Sequence, residues 1–597
     1  MIWKPRSAEP TAVARLAREA NLSPTLARLL VARGIGDAES AHRFLHPSLD
    51  HLHSPYALLG MKAAVERLRA AIERQERVLI YGDYDVDGTT AVVILKTAIE
   101  LCGGTAEFHV PHRIKEGYGI KSDVIEQAAA AGIRLVISVD TGIRAFAAAE
   151  TAQRLGLDLI VTDHHLPESG GVPRALAVLN PNQAGCDYPC KSLCGAGVAF
   201  KIAQALVENL GRPKLVPSFL KIVAIATIAD AVPLVGENRV FAALGLDGLR
   251  RPVNPGLKAL FQAASLSGGR ALNAGDVAFR IAPRLNAAGR MDVATDVVDL
   301  FSTRDADEAG RIAARLNQLN TDRQQEEWRI VEAIDELLSG SPELRDAYCL
   351  VLDGDGWHRG VVGIAATRVV EKYCRPALVI ARDGDEAHGS GRSIPAFHLL
   401  EALESCAPLF TRFGGHAHAV GFALPCDKIA DLRRSLDSFA RARLTTADFD
   451  PILRHDGALA LSDVTPELFA ALEQMEPFGM GNPEPVFAAS GVRLLQPPRI
   501  MKEKHVRLRL GQNGVARVSA PGTRVIDPSH TGRTWQRGLD AIGWRMAEMV
   551  QEQSILAGDI VDVAFTLEHN DHPDFGGLEL RLKDLRKTAA IATTNAS

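Results

Sequence analysis

No stretch of about eighteen uncharged apolar residues occurs anywhere in this 597-residue chain, which argues against a membrane-spanning helix. The start, Met1-Ile2-Trp3-Lys4-Pro5-Arg6, lacks the apolar core of an export signal, so a cytoplasmic location is expected. Cysteine is scarce. Eight residues in so long a chain, without an export signal, argue against a disulfide framework. Cys186, Cys190 and Cys194 recur at regular spacing, but zinc and iron–sulfur sites usually bring a second ligand pair from elsewhere, and none is visible. They read as reduced, unliganded thiols. A strong charge of either sign is also missing: the formal net charge is −5, so any nucleic-acid binding must rest on local basic surfaces.

What is present is the composition of an ordinary globular protein, 47% apolar and 23% charged. The length exceeds one compact core and suggests roughly three to five domains. Short apolar runs (78–81, 107–110, 135–139, 159–161) alternate with helix-like segments of about ten residues, the pattern of a doubly wound, largely parallel α/β sheet. Charged and apolar residues then alternate at helical period from Glu308 to Leu338, predicting one or two long helices. A second α/β unit begins near Tyr348. After Asp450, short alternating segments separated by Gly, Pro and Asn turns predict a small β-barrel. The expected division is a lead segment over 1–60, a first α/β domain over 61–265, a helical linker over 266–345, a second α/β domain over 346–447, a barrel over 448–587 and a disordered tail over 588–597.

Asp83-Tyr84-Asp85-Val86-Asp87-Gly88 follows the first predicted strand, so three carboxylates crowd its C-terminal end, where open α/β sheets build their sites. Carboxylates that close repel one another unless a cation neutralises them. The run matches the opening of a calcium EF-hand, but the twelfth loop position is Ile94 where a bidentate Glu is needed, and a strand precedes it. An acidic solvated turn would explain the run alone. It is not alone, because Asp140 and the triplet Asp163-His164-His165 each end another apolar run, and Ile225–Ala229 leads to Asp230, also expected at a strand end. Carboxylates with one or two imidazoles suit Mn²⁺, or Mg²⁺ where carboxylate dominates. Two such ions about 4 Å apart could serve phosphodiester hydrolysis without a nucleophilic side chain. His165 could touch the scissile phosphate, orient a ligand or supply a proton, or it could be an outer hydrogen-bonding residue. An NAD-binding Rossmann enzyme is disfavoured, since acids stand where a G-x-G-x-x-G turn is needed.

The Asp83–Gly88 run, Asp140, the triplet and Asp230 resemble the four metal-binding motifs of the DHH phosphoesterase superfamily. Gly82–Thr90, Leu193–Phe200 and Arg284–Arg290 are similar to its single-strand exonuclease branch, and Gly414–Gly421 resembles the glycine–histidine motif of the DHH-associated domain. The resemblance spans nearly the whole chain. It implies metal ligands at Asp85, Asp87, Asp140, His164 and Asp230, with Asp83 a neighbour that assists. It also implies a second α/β domain of DHH-associated type and a C-terminal OB-fold. The implied activity is 5′→3′ exonucleolysis of single-stranded DNA in recombination and repair. A single-strand-binding protein and a helicase are implied as partners, and Ser390, Arg392, His416 and Arg290 as substrate-binding residues. Arg359, in Trp357-His358-Arg359-Gly360, is a further candidate for phosphate contact, although such glycine-rich stretches are often only tight turns. Lys504, Arg507 and Arg509 could form a phosphate-tracking stripe with Arg517, Arg524, Arg533 and Trp535 nearby, or an ordinary solvated strand face. Two rivals are an enzyme acting on oligoribonucleotides, cyclic dinucleotides or pyrophosphate, and a non-catalytic nucleic-acid-binding scaffold. The first is disfavoured by length and the third domain, the second by the full ligand set.

Overall fold

The computed structural model describes residues 1–268, 271–512, 538–570 and 576–588. The chain forms two compact units, one of Pro47–Asp450 with Pro477–Gly481, the other of Met1–His46, Pro451–Glu476 and Asn482 onward.

In the first unit, five parallel strands are built from Val-, Ile- and Leu-rich runs: Arg77–Tyr81, Thr105–His109, Leu135–Val139, Asp158–Thr162 and Ala177–Leu179. Arg77–Tyr81 lies between Thr105–His109 and Leu135–Val139, and the order then follows the chain. Alternate strand residues serve two cores. Val78, Ile80, Leu135, Ile137 and Val139 pack with helices Val86–Leu101 and Gly195–Asn209. Leu79, Tyr81, Val136, Leu159 and Val161 pack with helices Ser122–Ala130 and Phe146–Arg154. Burial on both faces is why these runs are continuously apolar and the sheet is doubly wound.

The predicted spacer is one 35-residue helix, Ala306–Gly340, capped by Asp305, about 50 Å long at 1.5 Å per residue. Ala309, Ala313 and Leu316 join the first core, whereas Ile330, Ile334 and Leu338 join the core of the second domain. One helix is thus a shared wall. The second domain pairs Leu350–Asp355 in parallel with Ala377–Asp383, then adds Glu386–Arg392, Ala419–Pro425 and Arg412–His416 antiparallel.

The second unit contains a seven-stranded sheet that closes on itself where Arg493 and Leu494 pair with Gly511 and Leu510. Lead residues 1–46 belong here, whereas 47–60 join the first unit. Strand Ile2–Pro5 pairs in parallel with Ile452–His455, and Arg33 reaches Asp456 at 3.2 Å. Arg517, Arg524, Arg533, Trp535 and the tail from residue 589 lie outside the described residues. Among the described residues no helix is long and apolar enough to cross a membrane.

Candidate metal centre

The Arg77–Tyr81 strand delivers Asp83 and Asp85 to the C-terminal edge of the sheet. Asp85 caps the following helix, accepting from Gly88 N at 3.0 Å, which sets Asp87 in the first turn. Asp87 is 2% exposed. Its two oxygens accept from Gly195 N (2.6 Å) and Ala196 N (2.8 Å), the first amides of helix Gly195–Asn209. These charge-assisted bonds at a helix N-terminus fix one carboxylate without a cation. Gly195 is required by crowding, since a Cβ there would stand 2.5 Å from Asp140 Oδ1. Asp140 itself adopts φ +60, a left-handed conformation rare for a side-chain-bearing residue and costing roughly 1 kcal/mol.

From the next strand, His164 turns Nε2 to 3.2 Å from Asp140 Oδ1, 3.7 Å from Asp87 Oδ2 and 3.9 Å from Asp230 Oδ2. Asp163 points elsewhere. Fully buried, it accepts from the amides of His164 (2.7 Å), His165 (3.1 Å) and Ile143 (2.9 Å) and bonds His165 Nδ1 at 2.8 Å. Burial would raise its pKa, but the His165 hydrogen bond and charge, with these amides, hold it low. The same bond overcomes burial at His165, whose pKa is pushed up to about 9. Tyr118 Oη adds a contact at 3.3 Å to Nδ1, so Nε2 is the position left for another group. Burial keeps His164 below its ordinary pKa, in the neutral form a cation needs.

Asp230 corrects an expectation. It ends a helix, Val216–Ala229, not a strand. That helix is buried on nearly every side, so its sequence lacks the periodicity that would separate it from a buried strand.

The donor set fits divalent cations. Three triplets, Asp83–Asp85–Asp140, Asp87–His164–Asp230 and Asp140–His164–His165, each offer ligand atoms within 4.8 Å of one another. Asp83 thus falls among the carboxylates themselves. Burial first, and neighbouring carboxylates second, raise the pKa values of Asp83, Asp85 and Asp140, and that of Asp230 to about 9. Asp83 Oδ1, Asp140 Oδ1 and Asp230 Oδ2 are buried and accept no hydrogen bond among the described residues. Buried carboxylate oxygens left this way are costly, and cations satisfy them.

Opposite the acids stands a cleft of about 420 Å³ between the two α/β domains, lined by Tyr84, Arg113, Tyr118, Arg359, His388 and Ser390 among others. Arg113 lies over the Tyr84 ring at 4.8 Å. Sequence reasoning missed it, although it follows a strand of the same sheet and so shares the edge. Arg290 donates to Gly360 O at 3.2 Å. Burial, then the Arg113 and Arg323 charges, push its pKa down to about 10. Burial and then Arg113 likewise lower Arg392. Arg113, Arg290 and Arg392 are half-buried, and none pairs with a carboxylate among the described residues. Ser390 and Arg392 flank the first turn of helix Val362–Tyr373, where a Cβ on Gly363 would meet both. Arg359 donates to His388 Nδ1 at 3.0 Å. His416 stands exposed at the end of its strand, whose Arg412 and Phe413 line the cleft.

The expected stripe in the second unit is largely self-neutralised. Arg509 pairs with Asp540 at 2.8 Å, and Arg507 lies 3.6 Å from Asp540 and 3.9 Å from Glu579, because the neighbouring strands place acids opposite. Lys504 is different. With Lys502, Arg499 and Arg545 it is exposed and has no carboxylate partner among the described residues, beside a half-exposed Trp544 packed edge-on against His505 at 4.7 Å.

A parallel sheet that gathers carboxylates and a histidine at one edge, facing a cationic second α/β domain, defines a DHH-type phosphoesterase. Residues 77–227 match the DHH family N-terminal domain, 346–442 the DHHA1 domain and 455–584 the RecJ OB domain. The single-stranded-DNA-specific exonuclease RecJ of Bacillus subtilis is 36% identical over 588 residues, 98% of this chain and 70% of that protein. RecJ of Escherichia coli K12 is 36% identical over 511 residues, 82% and 87% of the two chains. The crystal structure of Thermus thermophilus RecJ in complex with Mn²⁺ superposes with a TM-score of 0.80 at 29% identity, covering 99% of this chain and 80% of that one. A RecJ structure bound to manganese matches at 0.58 and 34% identity, over 67% and 97%. The chain belongs to the RecJ family.

Proposed function

We infer that this chain is a divalent-cation-dependent exonuclease that degrades single-stranded DNA 5′→3′. The observation carrying this reading is the juxtaposition, among the described residues, of buried carboxylate oxygens that accept no hydrogen bond with half-buried arginines that have no carboxylate partner. A phosphodiester with its cations fills both needs at once.

Asp85, Asp87, Asp140, His164 and Asp230 are the proposed ligands of Mn²⁺ or Mg²⁺, with Asp83 assisting from within the same cluster. When bound, two such ions supply charge neutralisation, activation of the attacking water and stabilisation of the leaving oxygen. His165, held at Nδ1 by Asp163, presents Nε2 to the phosphate or as a proton donor. Arg113, Arg290, Arg392 and Ser390, with the amides opening helix Val362–Tyr373, hold the terminal 5′-phosphate and so set which bond reaches the acids. Arg359 and His416 take the strand further out. In the second unit Trp544 offers a face for base stacking, with Lys502, Lys504 and Arg545 for phosphates.

The polarity, a role in recombination and repair, a cytoplasmic setting and the partnership with a single-strand-binding protein and a helicase rest on family resemblance. Digestion of 5′- and 3′-labelled single- and double-stranded oligonucleotides with Mn²⁺, Mg²⁺ or chelator tests the reading. Early release of the 5′ label from single strands, lost in chelator, is expected. Release of the 3′ label first would overturn the polarity.

A further inference from the structure

The chain leaves the larger unit at Asp450 and rejoins it for five residues, Pro477–Gly481. Those five residues sit on the segment just beyond Asp230. Leu234 N donates to Met480 O at 2.8 Å, Gly479 lies against the Leu234 side chain, and Gly481 packs on Pro233. Gly481 has φ +73, and a Cβ there would stand 3.1 Å from Pro233 Cβ, so a β-branched residue is both strained and crowded. On the other side Asn238 Nδ2 donates to Pro233 O (3.1 Å) and Ser192 O (2.6 Å). The turn after Asp230 is therefore held from two directions.

Asp230 needs such holding. It lies at the C-terminal end of helix Val216–Ala229, where the unpaired carbonyls repel a carboxylate. The next residue, Ala231, adopts φ +55, and Asp230 Oδ2 accepts no hydrogen bond among the described residues. Asp87, by contrast, is fixed through both oxygens by two amides. With no comparable bond at its own buried oxygen, Asp230 depends on its flanking backbone for position.

We propose that the Pro477–Gly481 return is a positioning element of the metal centre, which fixes the Pro233–Val235 backbone so that Asp230 completes a divalent-cation site with Asp87 and His164. The proposal deepens the reading above and rests on Asp230 being a cation ligand.

Calorimetric titration of the metal-free full chain with Mn²⁺ tests it, run on wild type, Asp230→Ala, Gly481→Val and Gly481→Asn. Gly481→Val is expected to weaken one Mn²⁺-binding event about tenfold, the usual effect of disturbing a group that orients a ligand. At low Mn²⁺ its kcat falls and recovers as Mn²⁺ is raised, while KM for the oligonucleotide holds. Gly481→Asn, which tolerates a positive φ but sets the same Cβ against Pro233, shifts binding less than Gly481→Val. Where Gly481→Val does not fold, Leu234→Ala replaces it with the same expected shift, since it removes the side chain against which Gly479 lies. An unaltered Mn²⁺ isotherm in the folded variant, beside a weakened one in Asp230→Ala, overturns the role of the return alone. Identical isotherms for wild type and Asp230→Ala overturn the ligand assignment beneath it, and this proposal with it.

Discussion

Asp140 Oδ1 and His164 Nε2 lie 3.2 Å apart, on residues that follow two neighbouring parallel strands. Each belongs to two of the three ligand triplets, so this pair is the hinge of the centre. Asp140→Ala is predicted to lower Mn²⁺-dependent nucleotide release by at least about 100-fold. In chelator the effect reverses in sign: Asp140→Asn should melt higher than wild type, because a carboxylate crowded by Asp87, Asp85 and Asp83 has gone. Nucleotide release and thermal melts measure the two. Undiminished release in purified Asp140→Ala would sink the centre.

The pH dependence of the metal-free protein follows from Asp230, whose pKa burial and Asp87 raise to about 9. Unfolded, the carboxyl titrates near 4. Between those values the folded state keeps a proton that the unfolded chain has lost, so stability falls as pH rises through the window. Metal-free wild type should therefore lose stability relative to Asp230→Asn from about pH 5 to 9. Added Mn²⁺ should abolish the trend. A flat difference in denaturant titrations across that range would count against the burial argument.

Arg113 lines the cleft and its charge reaches Arg392, and neither has a carboxylate partner among the described residues. Arg392→Lys keeps the charge but loses the planar fork that grips a phosphate. It should raise KM about tenfold for a 5′-phosphorylated oligonucleotide and shrink the preference over a 5′-hydroxyl end. Steady-state kinetics on the two substrates decide. An unchanged preference in both Arg392→Lys and Arg113→Ala would remove the arginines from end recognition.

Trp544→Ala should weaken single-strand binding, measured by anisotropy in chelator, by about 1–3 kcal/mol. Arg509→Ala should have little effect, since Asp540 already occupies that guanidinium. The opposite ranking would restore the strand stripe as the contact surface.

Lys201 and Glu237 form a fully buried pair at 2.7 Å, completed by Tyr188 Oη, the His53 amide and the His53 carbonyl. Lys201→Met leaves Glu237 charged and unpaired and should cost about 3–5 kcal/mol in chemical denaturation. Adding Glu237→Gln should recover part of it. A Lys201→Met variant as stable as wild type would show that the pair contributes nothing net.

Much of the centre was legible in the linear chain because parallel strands put their sites at one edge. Apolar runs ending in Asp83, Asp140 and His164 therefore point to a common place. Helical period likewise exposed the Ala306–Gly340 spacer. Such patterns are local, and each residue's neighbours along the chain carry the signal.

What only the tertiary structure decided is what meets what. Asp163 serves as the anchor of His165, Arg113 joins Arg290 and Arg392, Asp540 cancels Arg509, and the lead residues pair beside Ile452–His455. Asp230 rides a helix whose all-round burial erased the period that would have marked it. A single chain reveals which residues want burial or a counter-charge, through spacing and polarity. Which partner supplies it depends on how the chain folds back on itself, as where Ile2 meets Ile452, and no local pattern encodes that.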